Sequence, residues 1–313
     1  MARTSFVARR IVQVIPVLFG ITVVTFFLLR LIPGDPALAI LGEHYTKASA
    51  TQLRHSLGLD RPLIEQYLMY MQHLLQGNLG ESIFFREPAR TVIAERLPAT
   101  LFLVFYSVML AMLISIPTGI ISALRRGGIF DQTARVTTLV GFAMPGFWLG
   151  IIFIIIFAVH LQIFPVNGYG TSFWGHIDHL FLPSLTIAIA FSTILIRTLR
   201  SSTLSALNAE YVDTARIKGI SRFAVQRRHV FRNAVIAVVV VFGINLAFLI
   251  GGTVIIENVF AIPGVGSLLV DSVGTRDYPV VQGVTLVLAV FVVVINLMTD
   301  LVHSALDPRV MVE

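Results

Sequence analysis

Two histidines three residues apart, His176 and His179 with Asp178 between them, are the nearest approach to a metal-ligand cluster in this chain of 313 residues. On a helix such a spacing shares one face, and two imidazoles there can hold a divalent cation. The blander reading, adopted here, puts them in an irregular loop beside Trp174 with no metal. The other histidines (His44, His55, His73, His160, His229 and His303) are scattered, and no His-Glu-x-x-His pair suggests a zinc hydrolase. The absence of cysteine excludes disulfides and thiolate metal sites. The only lysines are Lys47 and Lys218, and neither closes a glycine-rich phosphate loop, since Gly219 follows Lys218 rather than preceding it. ATP chemistry needs that loop and its lysine. The chain therefore reads as lacking catalytic residues, a bound cofactor and a metal centre, and any nucleotide energy has to come from a partner.

What remains is a polar, cationic island from Glu210 to Asn233 between two strongly apolar segments. Ser202 to Lys218 reads as one helix with an apolar stripe of Leu204, Leu207, Tyr211 and Ala215. Arg216 and Lys218 fall in its last turn, where cations complement the helix dipole. Gly219 follows, where a left-handed residue is expected, and Ser221 can cap a second helix from Arg222. The predicted result is a knuckle of two short helices pivoting on Gly219. A plain polar loop obeying the charge bias of membrane proteins fits the same residues, and Arg222, Arg227, Arg228 and Arg232 also suit contact with anionic headgroups.

The elements that position this island are apolar. The composition is 56% hydrophobic and 13% charged, with mean hydropathy +0.85. A soluble domain needs more polar surface than that, so most of the chain's solvent is lipid. Six segments are long enough to cross a bilayer: about 11–31, 100–123, 137–161, 183–200, 234–256 and 280–303, the fourth being the shortest. The first follows Arg3, Arg9 and Arg10 as a signal peptide would. It runs on for 21 residues with no small-residue cleavage site after it, so it reads as a retained span.

The net charge of +6 could suggest nucleic acid, but in a membrane chain its placement decides. Arg3, Arg9 and Arg10, then Arg125, Arg126 and Arg135, then Arg197, Arg200, Arg216, Lys218, Arg222, Arg227, Arg228 and Arg232, and finally Arg309 all fall on one side. These are fifteen of the 23 basic residues. Of the short loops opposite, one has none and the other only Arg276; the long loop after the first span escapes the rule. Both termini and the island are expected to face the cytoplasm, with a lipid bilayer and proteins, not nucleic acid, as partners.

The long loop carries its own helix signal. Asp60-Arg61-Pro62 starts it, Leu63, Tyr67, Leu68, Met71, Leu74 and Leu75 form an apolar stripe, and Gly77 ends it. This predicts an amphipathic helix packed on the membrane domain. Inside the spans ionisable groups are nearly absent, which argues against an ion-coupled carrier. Asn245 and Asn296 read as interhelical glue before substrate ligands. Pro117 and the Pro145-Gly146 pair are expected to kink the second and third spans.

Tyr211, Thr214, Ala215, Arg216, Lys218 and Gly219, followed by Arg228, His229, Arg232 and Asn233, resemble the cytoplasmic signature loop of ABC-importer permeases, in particular the dipeptide/oligopeptide family. The likeness runs through the chain. Arg9-Arg10, Ile15 to Gly20, Leu31 to Pro36, Leu57 to Pro62, Gln76 to Gly80, Arg96 to Thr100, Pro263 to Leu268, Arg276 to Gly283 and Asp307 to Arg309 all match family motifs. Two positions depart: Ala237, where the family usually has proline, and Asp213, where the wider superfamily often has glutamate and this family arginine.

The resemblance implies an all-α, six-span permease of the type I importer fold. Residues 1–93 would be an added span and outer loop, 94–304 the transport domain with its coupling loop at about 202–233, and 305–313 a cytoplasmic tail. It further implies a homologous second permease subunit, two ATP-binding-cassette ATPase subunits and an extracytoplasmic substrate-binding protein in the cytoplasmic (inner) membrane. Tyr211, Asp213, Thr214, Ala215, Arg216, Lys218, Gly219, Arg228 and Arg232 would form the ATPase-coupling loop. The implied cargo is a short peptide; nickel chelates, glutathione and oligosaccharides are carried by similar architectures.

Overall fold

A computed structural model describes residues 2–31, 41, 45–56, 58–225 and 232–306. Among them the chain is helical, with no strand and a single isolated bridge between Glu81 and Pro88. The helices are α1 (Ala2–Leu31), α2 (Lys47–Ser56), α3 (Leu63–Leu75), α4 (Ala89–Leu124), α5 (Ile129–Ala143), α6 (Gly146–Phe153), α7 (Phe173–Leu207), α8 (Glu210–Ile217), α9 (Arg222–Val225), α10 (Arg232–Val259), α11 (Val265–Thr275) and α12 (Tyr278–Leu306). A π-helical turn, Ile154–His160, extends α6.

Five helices are individually long and apolar enough to cross a membrane: α1, α4, α7, α10 and α12. The expected third span is instead a broken pair, α5 and α6, whose axes turn by 103°. The cause is local. Pro145 cannot donate a backbone hydrogen bond, and it pushes the residue before it out of helical geometry. Met144 accordingly sits at φ −86°, ψ 128°. Pro117, by contrast, lies within a helix that continues unbroken to Leu124. The segment expected to be the shortest span is among the longest helices. α7 has 35 residues, about 50 Å at 1.5 Å per residue. Its polar ends, with His176, Asp178 and His179 at one and Arg197 and Arg200 at the other, hid its length from an apolar window.

The chain forms two compact units that interleave in sequence. The first comprises residues 1–6, 101–262 and 292–313. α7 is its centre, with two thirds of its apolar window enclosed by other helices. Glycines let neighbours come close: a Cβ at Gly119 would lie 3.0 Å from Leu199, one at Gly141 3.2 Å from Thr193, and one at Gly150 3.0 Å from Phe260. Such small-residue contacts are how helices gain packing energy in lipid, where burial of apolar surface contributes little. A buried ion pair adds direction. Arg200 on α7 donates from Nε (2.6 Å) and Nη2 (2.8 Å) to Asp131, which also accepts from the Gly127 backbone N–H at 2.9 Å. This bidentate clamp ties the start of α5 to the end of α7.

The second unit comprises residues 7–100 and 263–291. Ala89, Val92, Ile93, Val265, Leu268, Val280 and Val284 make its core. Ser82 donates to Asp277, which also accepts from the Phe84 N–H, pinning the polar loop to the start of α12. Helix α3 is present with Pro62 as its N-cap and Gly77 in a left-handed turn at φ +74°, as expected. Its inward face is different. Gln66, Tyr67, Tyr70 and Leu74 turn inward, while Leu63, Leu68 and Leu75 are exposed. The reason is Arg30 at the end of α1. It lies 3.5 Å over the Phe26 ring and donates two hydrogen bonds to Gln66 Oε1, at 3.0 and 2.9 Å. A polar partner for that cation outranks one more buried leucine. Burial among these rings pushes the Tyr70 phenol up to about 12, so it stays neutral.

Candidate functional site

The island folds as a knuckle, but not with the predicted boundaries. The single helix expected over 202–218 is two. α7 ends at Leu207, the Asn208 and Val212 N–H groups bond to Leu204 and Ala209 respectively, and α8 begins at Glu210. Turning there lets Ala206, Val212, Ala215 and Val225 form a small core, with Leu207 packed beside it. The buried stripe is therefore Ala206, Val212 and Ala215, whereas Tyr211 is 41% exposed and Leu204 only half-buried. Spacing alone permits either stripe, because Val212 and Ala215 are also three apart; the choice depends on Val225, brought back by the turn.

The turn at Gly219 is a Schellman closure. Ile220 N–H closes it onto Ala215 O at 3.2 Å, just after the last helical bond, from Lys218 N–H to Thr214 O at 3.1 Å. Gly219 holds the left-handed position at φ +76°, and a Cβ there would meet nothing within 4 Å. Ser221 Oγ accepts from the Ala224 N–H at 3.4 Å, a weak cap on α9. The predicted pivot and cap are both present.

Thr214, Lys218 and Gly219 are exposed, and Thr214 Oγ1 donates to Glu210 O on its own helix. Asp213 and Arg216 lie on α8, and Arg232 is the first residue of α10. Arg228 lies outside the described residues. Two residues not singled out from the sequence stand out: Ile217 is 87% exposed and Ile220 39%. With Tyr211 they are three exposed apolar side chains among the described residues of the knuckle, near the exposed Lys218. The number of apolar residues in so short a polar run was the available signal.

The other candidates are ordinary. His176 and His179 are on the first turns of α7, capped by Ser172, not in an irregular loop. His176 bonds to Tyr169 O at 2.7 Å and stacks on the Tyr169 ring, and His179 bonds to Gly175 O at 2.8 Å. Among the described residues no group of His, Asp or Glu could hold a metal. Asn245 donates to Val241 O on its own helix at 2.7 Å, and it lines an apolar cavity of about 430 Å³ with Phe147, Phe191 and Phe248.

Residues 115–312 match the model of the family described as binding-protein-dependent transport system inner membrane component, and residues 3–104 match that of its N-terminal region. The chain is 38% identical to the di/tripeptide transport system permease protein DppB of Pseudomonas aeruginosa, with 98% of each covered. It is also 38% identical to the oligopeptide transport system permease protein AppB of Bacillus subtilis, over 98% of this chain and 99% of that one. Identity to the dipeptide permease protein DppB of Escherichia coli is 36%, over 98% of each. Among solved structures, a chain of the MetNI methionine ABC transporter in an inward-facing conformation matches with a TM-score of 0.57 at 18% identity, covering 70% of this chain and 97% of that one.

Proposed function

Because the chain belongs to the binding-protein-dependent transport system inner membrane component family, we propose that it is the permease subunit through which an ATP-driven importer moves short peptides. The observation that carries the peptide reading is the near-full-length similarity to di/tripeptide and oligopeptide permeases. The chain is a non-catalytic, multi-pass membrane subunit, and ATP hydrolysis belongs to a separate subunit. The basic side, with both termini, faces the cytoplasm. Residues 94–304 are the transport domain and 1–93 its extension. A second permease, two ATPases and an external binding protein complete the assembly in the inner membrane.

The knuckle is the docking element for an ATPase. Its apolar trio of Tyr211, Ile217 and Ile220 provides burial. Arg216, Lys218 and their neighbours provide steering toward an acidic groove. α8 follows α7 after a two-residue break, so a push on the knuckle reaches the central helix of the membrane domain.

Purification of the tagged chain from its native membrane in mild detergent tests this reading. Recovery of ATPases carrying phosphate loops, a second permease and a binding protein with peptide ligand is the expected result. A chain recovered alone that takes up substrate on an ion gradient would contradict it. Reversing charge with Arg216→Glu and Lys218→Glu should weaken ATPase attachment most at low ionic strength, since salt screens such attraction. A loss independent of salt, read by co-purification across a salt series, would argue against an electrostatic role.

A further inference from the structure

We propose that the chain carries a binding site for an anionic phospholipid headgroup where α4, α5 and α7 meet. A cavity of about 360 Å³ opens there, lined by Ser122, Arg135, Leu139, Phe142, Ile194 and Arg197, with Arg200 at its wall. The proposal rests on α4 and α7 spanning a membrane, not on which side the basic end faces.

Charge is the first argument. The one carboxylate nearby, Asp131, is engaged by both arms of Arg200 and by the Gly127 N–H. Arg135 Nε makes a long ion pair with the same carboxylate at 4.0 Å, so one acid serves two arginines. Arg197 is exposed and pairs with no carboxylate among the described residues. The cavity wall thus has an excess of positive charge that its own acid does not balance.

Ser122 supplies an independent observation. It has no exposed surface, and its Oγ has no hydrogen-bond partner among the described residues. A buried hydroxyl left unpaired is unfavourable and marks a place where a ligand or water completes the site. A hydroxyl and guanidinium groups lining one cavity suit the oxygens of a phosphate, which accept from both.

The shape of the chemistry indicates a lipid. α5 and α7 run antiparallel: Asp131 meets Arg200 at one end, and Gly141 meets Thr193 further along. Along α5 the lining passes from Arg135 to Leu139 and Phe142; along α7, in the opposite chain direction, it passes from Arg200 and Arg197 to Ile194. Both helices therefore change from cationic to apolar in the same spatial direction. Leu139 is 71% and Phe142 65% exposed, open to an acyl chain. A headgroup phosphate at the arginines with its tail along these residues matches that order, as basic pockets between spans do for anionic lipids.

The test uses the full chain with whatever subunits accompany it, in neutral detergent, titrated with phosphatidylglycerol or phosphatidylcholine and read by native mass spectrometry. The wild-type chain should prefer phosphatidylglycerol. Arg197→Gln with Ser122→Ala should lower that affinity about tenfold, and Arg197→Lys should lower it less. Arg126→Gln, on the adjoining loop and outside the cavity lining, serves as the control and should leave it unchanged. Equal loss in the control would reduce the effect to general surface charge and overturn the site. So would equal binding of both lipids, or displacement of phosphatidylglycerol by a short peptide, which would assign the cavity to cargo. Lipid binding is read without transport, so these outcomes stand whether or not the importer reading holds.

Discussion

Gly219→Val should abolish uptake while the chain still inserts in the membrane at normal levels. The mechanism is backbone strain alone. Gly219 sits at φ +76°, a region that costs a β-branched residue of order 1–3 kcal/mol, and a Cβ there would clash with nothing. What holds the knuckle closed is modest: one Schellman hydrogen bond, the last helical bond before it, and a core of Ala206, Val212, Ala215 and Val225. A penalty of that size is comparable with their net contribution, at about 0.5–1.5 kcal/mol for each hydrogen bond. The turn opens, α8 and α9 separate, and the apolar trio loses its arrangement. The spans are untouched because none of their packing involves Gly219. Uptake and co-purified ATPase should fall in the order Gly, Asn, Ala, Val, because asparagine tolerates the left-handed region better than alanine does. An order that follows side-chain volume, with asparagine worse than alanine, would show that contact and not backbone conformation is what matters.

Asp131→Asn should be the most destabilising conservative change in the transport domain. Asp131 has no accessible surface and receives three hydrogen bonds, two of them from Arg200. Asparagine keeps the shape but removes the charge, leaving the Arg200 guanidinium against an uncharged amide. Arg200 keeps some exposure, so the cost is below that of a fully buried pair: about 1.5–3 kcal/mol, the range for charge-assisted hydrogen bonds. Thermal unfolding in detergent would show it as a lowered midpoint. Arg200→Gln should cost a similar amount, and the double variant less than the sum of the two. Strict additivity would mean that the two side chains do not stabilise each other.

The outline of the fold was legible because its physics is local. Runs of apolar residues become helices wherever the solvent is lipid, so 11–31 and 280–303 fall within α1 and α12. Pro145-Gly146 marked the break in the third span, although not its 103° turn, which depends on what α5 and α6 pack against. α7 was underestimated because its ends are polar and its centre is buried by protein rather than lipid. The coupling loop was half legible. Gly219 and Ser221 act within their own turns and could be placed, whereas the break at Asn208 serves a core completed by Val225, beyond the Gly219 turn. The missed contacts are those between residues far apart in the chain: Asp131 with Arg200, Ser82 with Asp277, and Arg30 with Gln66. Periodicity does not encode such pairs. The Arg30 contact and the rings of Tyr67 and Tyr70 against α1 set the inward face of α3 away from its expected stripe.

A photocrosslinking side chain at Ile217, in native membranes, tests the central claim most directly. Ile217 is the most exposed apolar residue among the described residues of the knuckle and lies outside its core. If the knuckle docks a nucleotide-hydrolysing partner, irradiation should yield one dominant adduct whose peptides include a phosphate-loop ATPase, and Gly219→Val should abolish it. Adducts to lipid alone, or an ATPase adduct unchanged by Gly219→Val, would contradict the account.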